Sequence, residues 1–361
     1  MREAKFEAAF HNVFRDTLLG IDSHVGGEPA RLIVGGLPPI PGQTINEKRL
    51  YLSENMDDVR LLVTREPRGH RDMFASILVE PETETAAFGL VYMDARRYPY
   101  LCGHATIAAV SALIELGLID AHVPETPVVV DTPSGPWKTI AHVHANPNSS
   151  GRPFLVDSVS IQPEISFAYQ LDQTLDVPGL GTIQVDISFT GGFFIMVSAD
   201  QIDYELTVEN TPMLAQLGMD IIQAGNEQLE VEHPHRPYIN TIDVVEFFDA
   251  QGHKDHRGKN FVVLGERHVD RSPCGTGTCA KLALLHQRGE LGVGEKFINE
   301  GLLGTTFDAR IVKQTTLKDP ANRRILQAIV PEVSGAAHIV GLHHFVLTPE
   351  DPFPVGFLIR A

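Results

Sequence analysis

The stretch Asp270-Arg271-Ser272-Pro273-Cys274-Gly275-Thr276-Gly277-Thr278-Cys279-Ala280 reads as the start of a helix built around a thiol. Pro273 stops whatever precedes it. Gly275 and Gly277 allow close backbone approach and uncommon dihedrals. From Thr278 the run CAKLALLHQRGEL combines good helix formers with Leu282, Leu285 and Leu291. Cys274 is therefore expected at a helix N-terminus. Unpaired N–H groups and the macrodipole favour negative charge there and lower a cysteine pKa.

The pattern occurs twice. Cys102-Gly103-His104-Ala105-Thr106-Ile107-Ala108 overlays Cys274 to Ala280 in the frame Cys-Gly-x-x-Thr-x-Ala, at an offset of 172 residues. The overlay continues without a gap, so that Gly117 falls on Gly289. Each half of the chain thus offers one cysteine at the start of one apolar helix. The first is expected at about Thr106 to Leu116, and the rest of the chain reads as scaffolding that brings the two starts face to face.

A chain of 361 residues with 43% hydrophobic and 21% charged residues is expected to form two similar-sized packed domains. The formal net charge of −17 argues against nucleic acid or an anionic membrane as partner. The three cysteines are too few for a disulfide framework, and their odd number fits a reducing compartment. No CxxC occurs, so no thiolate metal site is expected. No signal peptide and no bilayer-length apolar run is read, which leads to an expectation of a cytoplasmic protein.

Along the chain, residues 1–15 read as a short amphipathic extension. Residues 17–42 read as strand, turn, strand and loop, with His24 to Arg31 taken as a polar turn. Residues 45–67 read as helical. Phe74 to Val79 and Ala87 to Met93 read as strands, and three more follow before Pro163, with a turn at Asn146 to Gly151. Pro163 to Gly181 is read as the crossing between halves. The second half repeats the plan, with strands around Gly191-Gly192, helices in 206–233, strands leading into the second cysteine helix, and strands after it. Two α+β units of one type follow.

Two thiols facing each other across a cleft can move a proton on and off one carbon from opposite sides. Thiols suit this because an ordinary pKa of about 8.5 makes both protonation states accessible. The backbone N–H groups of the two Cys-Gly turns can hold a carboxylate and stabilise the charge it gains. No lysine stands in a setting that suggests a Schiff base; Lys281 is expected to face solvent. Cys279 has no counterpart in the first half, where Ile107 stands, and reads as a buried apolar residue. His104 reads as a cap or core residue, or as a substrate ligand. Asp270 reads as a partner of Arg271 or of a substrate ammonium.

These motifs resemble the proline racemase family, which holds proline racemases, 4-hydroxyproline 2-epimerases and trans-3-hydroxyproline dehydratases. The resemblance rests on HVGGEPARLI, PRGHRDMF, GLVYMDARRYPYLCGHATIAA, DRSPCGTGTCAKLA and the tail VGLHHFVLTPEDPFPVGFL. It implies two pseudo-symmetric α+β domains of the diaminopimelate-epimerase type, each a curved sheet around a central helix, with the site in the cleft between them. The domains are expected at 16–163 plus 343–361 and at 164–342. The resemblance implies cofactor-independent inversion at the α-carbon of a small cyclic amino acid, with Cys102 and Cys274 as acid/base thiols. It assigns Gly103, His104, Gly275 and Thr276 to the carboxylate and Asp270, with His104, to the ring nitrogen. Phe74, Tyr92 and Leu264 fall at ring contacts.

Leu101, Ala105 and Phe193 depart from the family's usual Met, Gly and Asn. Cys274 argues against the dehydratase, which usually carries Thr there. The apolar ring contacts favour proline, although the Tyr92 hydroxyl could serve a 4-hydroxyl group. A homodimer is allowed. The competing readings are the dehydratase on the same scaffold and a non-enzymatic redox or binding protein whose cysteines pair as a disulfide.

Overall fold

Two stretches of this sequence are apolar all round, and both become central helices. In α3, Gly103–Glu115, every residue except His104 is buried. In α5, Gly275–Gln287, Gly275 and everything from Gly277 to Leu285 is buried. A helix without a polar face has to be surrounded on all sides. The computed structural model, which describes residues 17–147, 151–163, 165–249, 255–320 and 323–359, shows what surrounds them.

Among the described residues, seventeen strands form one hydrogen-bonded network. The first set is β1 (Thr17–Val25), β2 (Glu28–Gly35), β3 (Phe74–Val79), β4 (Phe88–Asp94), β5 (Glu125–Thr132), β6 (Gly135–Ala145) and β7 (Phe154–Gln162). Neighbours in this order pair antiparallel, except that β2–β3 and β4–β5 are parallel. Parallel neighbours need a crossover. The first is made by α1 (Ile45–Asn55) and α2 (Asp57–Thr64), the second by α3.

The second set is β8 (Ser166–Val177), β9 (Gly181–Phe189), β10 (Phe193–Ser198), β11 (Ile242–Asp249), β12 (Arg257–Leu264), β13 (His268–Asp270), β14 (Lys296–Glu300), β15 (Thr306–Lys318) and β16 (Ile325–Gly335). Here β10–β11 and β12–β14 are the parallel pairs, crossed by α4 (Thr211–Gln228) and by α5. The order of antiparallel and parallel steps from β9 to β16 therefore repeats that from β1 to β7. A pairing of β16 with β8 closes the second set into a ring around α5. In the first set the eighth place is taken by the C-terminal strand β17 (Ala337–Val346), which pairs antiparallel along the whole of β1. The sets meet where β16 pairs with β7.

The cores do not divide cleanly between the sets. One apolar cluster runs from Ile107, Val110 and Leu113 of α3 to Cys279, Leu282 and Leu285 of α5. Cys279 lies inside it, fully buried, as an apolar residue. A second cluster lies between the second set of strands and α4, a third lies under α1 and α2, and a small one joins Cys274, Ala280 and Leu284 to Phe194 and Phe248 inside the second ring.

Several local expectations need correction. The helices begin at Gly103 and Gly275, several residues ahead of Thr106 and Thr278, because the cysteine side chains themselves cap them. The helical stretch from 45 is two helices broken at Met56, the first opened by a Thr44/Glu47 capping box. Most of 163–181 is strand β8, so the chain crosses between sets in the few residues before Ser166. The extension expected at 1–15 and the middle of the turn at 146–151 lie outside the described residues. No helix among the described residues is long and apolar enough to cross a membrane.

Candidate active site

Capping chemistry places both thiols. Cys102 is extended, with φ −159° and ψ 110°, and the Ala105 N–H points at its Sγ at 3.5 Å. Its carbonyl accepts from the Thr106 N–H at 3.2 Å and the Thr106 hydroxyl at 2.9 Å. Cys274 caps α5 in the same way, with the Gly277 N–H donating to its Sγ at 3.3 Å. Both thiols are free and buried. The two helix starts meet at their glycines: a Cβ on Gly103 would lie 3.7 Å from the Gly275 Cα, and one on Gly275 would lie 3.7 Å from the Gly103 Cα. Lack of side chains lets the two sets of N–H groups converge on one small space.

The uncommon backbone is at Cys274 itself, with φ +59°, and not at the flanking glycines. Such a conformation in a residue with a Cβ costs about 1–3 kcal/mol and persists only where its surroundings hold it. Here the Cys274 N–H donates to the Ser272 hydroxyl at 3.0 Å, and the preceding Pro273 carbonyl accepts from the Asn260 and Asn299 amides at 2.9 and 3.1 Å. Asp270 fixes Ser272 in turn, accepting from its N–H at 2.8 Å and its hydroxyl at 2.7 Å. Asp270 is thus not the partner of Arg271, which donates to Asp72 at 3.0 Å and, through its backbone N–H, to Glu28 at 2.8 Å.

The loop at His24 to Arg31, expected to be a plain polar turn, reaches into this network. Glu28 is buried and its Oε1 lies 3.0 Å from the His268 Nε2. Gly26 packs on Pro273 and Ser272. Glu28 follows two turn glycines, and its role is invisible in sequence because its partners lie some 240 residues away. His268, Asn260 and Asn299 were missed for the same reason: none belongs to a local motif.

Electrostatics correct the expectation of easily ionised thiols. Burial pushes both Cys102 and Cys274 well above the usual thiol value. For Cys102 the opposing Ala105 N–H is outweighed; for Cys274 the charges of Asp270 and Glu246 add to burial. Desolvation exceeds the capping effect because the thiolate would sit in a dry space beside carboxylates. Burial lowers His104, despite the charges of Glu28 and Asp270. It raises Asp270, which Glu28 raises further. His104 Nδ1 stands 3.3 Å from the Cys102 Sγ, and its ring meets Phe74 edge-on at 4.9 Å between centroids.

The remaining expected residues gather here in part. Thr276 is on the first turn of α5, its hydroxyl 3.6 Å from the Cys274 Sγ. Leu264 is half-buried at the end of β12, packed on the apolar cluster that includes Cys274. Phe74 and Tyr92 are buried, 6.5 Å apart between ring centroids. The Tyr92 hydroxyl is already bonded to Thr106 Oγ1 at 2.6 Å. With the Thr106 hydrogen given to the Cys102 carbonyl, Tyr92 is the donor in that bond and keeps only an acceptor for the expected substrate hydroxyl. Lys281, expected to face solvent, is fully buried and paired with Glu246 at 2.9 Å. A helix surrounded on all sides leaves no solvent face for it.

The proline racemase family model matches residues 20–358. A proline racemase of Clostridioides difficile is 41% identical over 347 residues, covering 96% of this chain and 99% of that protein. A trans-3-hydroxy-L-proline dehydratase of Burkholderia ambifaria is 35% identical over 347 residues, covering 95% and 98%. Among solved structures, a hydroxyproline epimerase from Agrobacterium vitis with bound trans-4-hydroxy-L-proline superposes with a TM-score of 0.82 at 28% identity, covering 96% of each chain. With a family model and close relatives spanning nearly the whole chain, and two capped thiols at facing helix starts, this chain belongs to the proline racemase family.

Proposed function

We propose that this isomerase inverts the α-carbon of proline by a two-thiol proton transfer, without a cofactor. The observation that carries the reading is the meeting of two cysteine-capped helix starts at Gly103 and Gly275. The substrate carboxylate sits against the N–H groups of Gly103, His104, Gly275 and Thr276. Asp270 and His104 take the ring ammonium. One thiolate takes the α-proton: an S–H bond forms, the Cα–H bond breaks, and its electron pair spreads into the carboxylate. The helix N–H groups stabilise that charge. The opposite thiol gives its proton to the other face. The product is inverted, and the two sulfurs have exchanged protonation states.

Proline is favoured over 4-hydroxyproline because Phe74 and Leu264 are apolar and the Tyr92 hydrogen is already given to Thr106. A buried hydroxyl left unpaired costs about 1–3 kcal/mol. Dehydration of a 3-hydroxyproline needs a base for the α-proton and a proton for the leaving hydroxyl, and the family resemblance places Thr rather than Cys at 274 for it. In the same reading, residues 16–163 plus 343–361 and residues 164–342 are two units of one plan. The repeated pairing order supports this, with β17 beginning ahead of 343, at Ala337.

The test is incubation with L-proline and, separately, trans-4-hydroxy-L-proline in D2O. Loss of the α-proton is followed by NMR and configuration by chiral chromatography. Exchange with inversion of proline is expected. Inversion of hydroxyproline alone would move the substrate assignment, and no exchange with either would overturn the reading.

A further inference from the structure

Behind Cys274 lies a buried ion pair that the proposed proton transfer does not use. Lys281 Nζ is 2.9 Å from Glu246 Oε1, and both side chains are fully buried. Lys281 also donates to Asn299 Oδ1 at 3.1 Å, and the Asn260 amide donates to Glu246 Oε1 at 3.2 Å. The same Asn260 Nδ2, together with the Nδ2 of Asn299, donates to the Pro273 carbonyl, one residue before the strained Cys274. Asn299 also holds the Thr278 hydroxyl at 2.9 Å. The second carboxylate oxygen, Glu246 Oε2, is buried without a hydrogen-bond partner. It faces Gly277, where an added methyl would run into it and lie 3.1 Å from the Cys274 Sγ. A buried ion pair costs desolvation that its own attraction does not reliably return. An orphan oxygen adds to that cost.

Among the described residues, the start of α3 has no such pair behind it. The frame that overlays the helices sets Ala109 at the place of Lys281, and Ala109 is buried in the apolar core. We infer that Glu246 and Lys281 are positioning residues for Cys274 alone: the pair fixes the turn that carries this thiol and, through the oxygen beside Gly277, sets how readily the thiol releases its proton.

The groups facing Cys274 from the elements around it are Glu246 on β11, Asn260 on β12, Asp270 on β13, Asn299 on β14, and Thr276 and Lys281 on α5. Asp270 is itself acted on by Glu28 of β2 and His104 of α3. Of the two carboxylates that raise Cys274, Glu246 is paired with Lys281 and Asp270 is held by Ser272. Burial, Asp270 and Glu246, in that order, push Cys274 up, whereas Glu246 is not among the causes for Cys102. The consequence for turnover rests on the two-thiol reading; the effect on the thiol does not.

The experiment follows thiolate absorbance against pH in two backgrounds, corrected with a cysteine-free variant. Cys102→Ser/Cys279→Ser leaves Cys274 as the single thiol, and Cys274→Ser/Cys279→Ser leaves Cys102. Glu246→Gln is expected to lower the Cys274 midpoint by about one pH unit, the effect of removing a nearby like charge, and to leave the Cys102 midpoint in place. Glu246→Gln/Lys281→Met, which buries no charge, keeps the test open if the single variant folds poorly, and a smaller fall confined to Cys274 is expected because the Lys281 cation goes with the carboxylate. No difference between parent and variant up to the alkaline unfolding limit, or an equal fall at both cysteines, overturns the inference. A selective fall in a protein that does not invert proline leaves the positioning pair standing and removes the proposed reaction. Inversion of proline with no fall does the reverse.

Discussion

At the scale of single residues, Cys102 and Cys274 carry the largest expected effects. Cys102→Ser and Cys274→Ser should each lower kcat/KM for proline inversion by about 10²–10⁴-fold, the usual weight of a positioned acid or base. Circular dichroism should show the fold retained, and a serine variant with near-parental turnover would end the two-thiol account. A second residue-scale expectation concerns His268 and Glu28. Burial works against the imidazolium, but the hydrogen bond and charge of Glu28 overcome it and raise His268 above its ordinary value of 6.5. The same partner holds Glu28 below its ordinary 4.5 against the opposing effect of burial. A raised pKa in the folded state means stability that is complete below 6.5 and lost as pH rises through the folded value. A lowered one means stability present above 4.5 and lost as pH falls through the folded value. Urea unfolding of the parent and of His268→Gln should therefore differ most between these limits. The gap should narrow on the alkaline side; a gap that widens there would contradict the pairing. The thiols were legible in sequence because their frame repeats, whereas Glu28 and His268 acquire meaning only by meeting each other.

At the scale of elements, the two helix starts separate crowding from chemistry. A methyl on Gly275 meets only the Gly103 Cα, at ordinary contact distance. Gly275→Ala should therefore keep the melting temperature while reducing kcat/KM by roughly tenfold or more, since it occupies the space between converging N–H groups. Gly277→Ala places its methyl against Glu246 and Cys274 and should destabilise by about 1–3 kcal/mol, as overpacking of a tight site does. Thermal unfolding with parallel kinetics distinguishes them; equal destabilisation of both would mean that the starts are simply crowded. The helices and the cysteine at each start were readable in the sequence, but the capping by sulfur was not. Cysteine is not a usual cap, and only the Ala105 and Gly277 N–H groups on the sulfurs reveal that role.

At the scale of the whole molecule, β17 ties the end of the chain to its beginning. It pairs along β1 and brings Phe345 into the apolar cluster under α1 and α2, where Arg31 lies 4.4 Å over its ring. A chain ending at residue 336 should lose cooperative unfolding, monitored by calorimetry, because β1 would be left with one neighbour and Phe345 would be gone. A truncated protein that melts as sharply as the parent would show the strand dispensable. The sequence by itself determined the strand and helix alternation, the repeated Cys-Gly-x-x-Thr-x-Ala frame and the family, since each rests on local periodicity or on a motif of adjacent residues. Tertiary structure alone decided that β8 opens the second set, that Lys281 is buried against Glu246, that Tyr92 spends its hydroxyl on Thr106, and that the capped thiols are hard to ionise. Each of these depends on which groups from other elements exclude water or supply a partner, and such meetings leave no mark on local pattern.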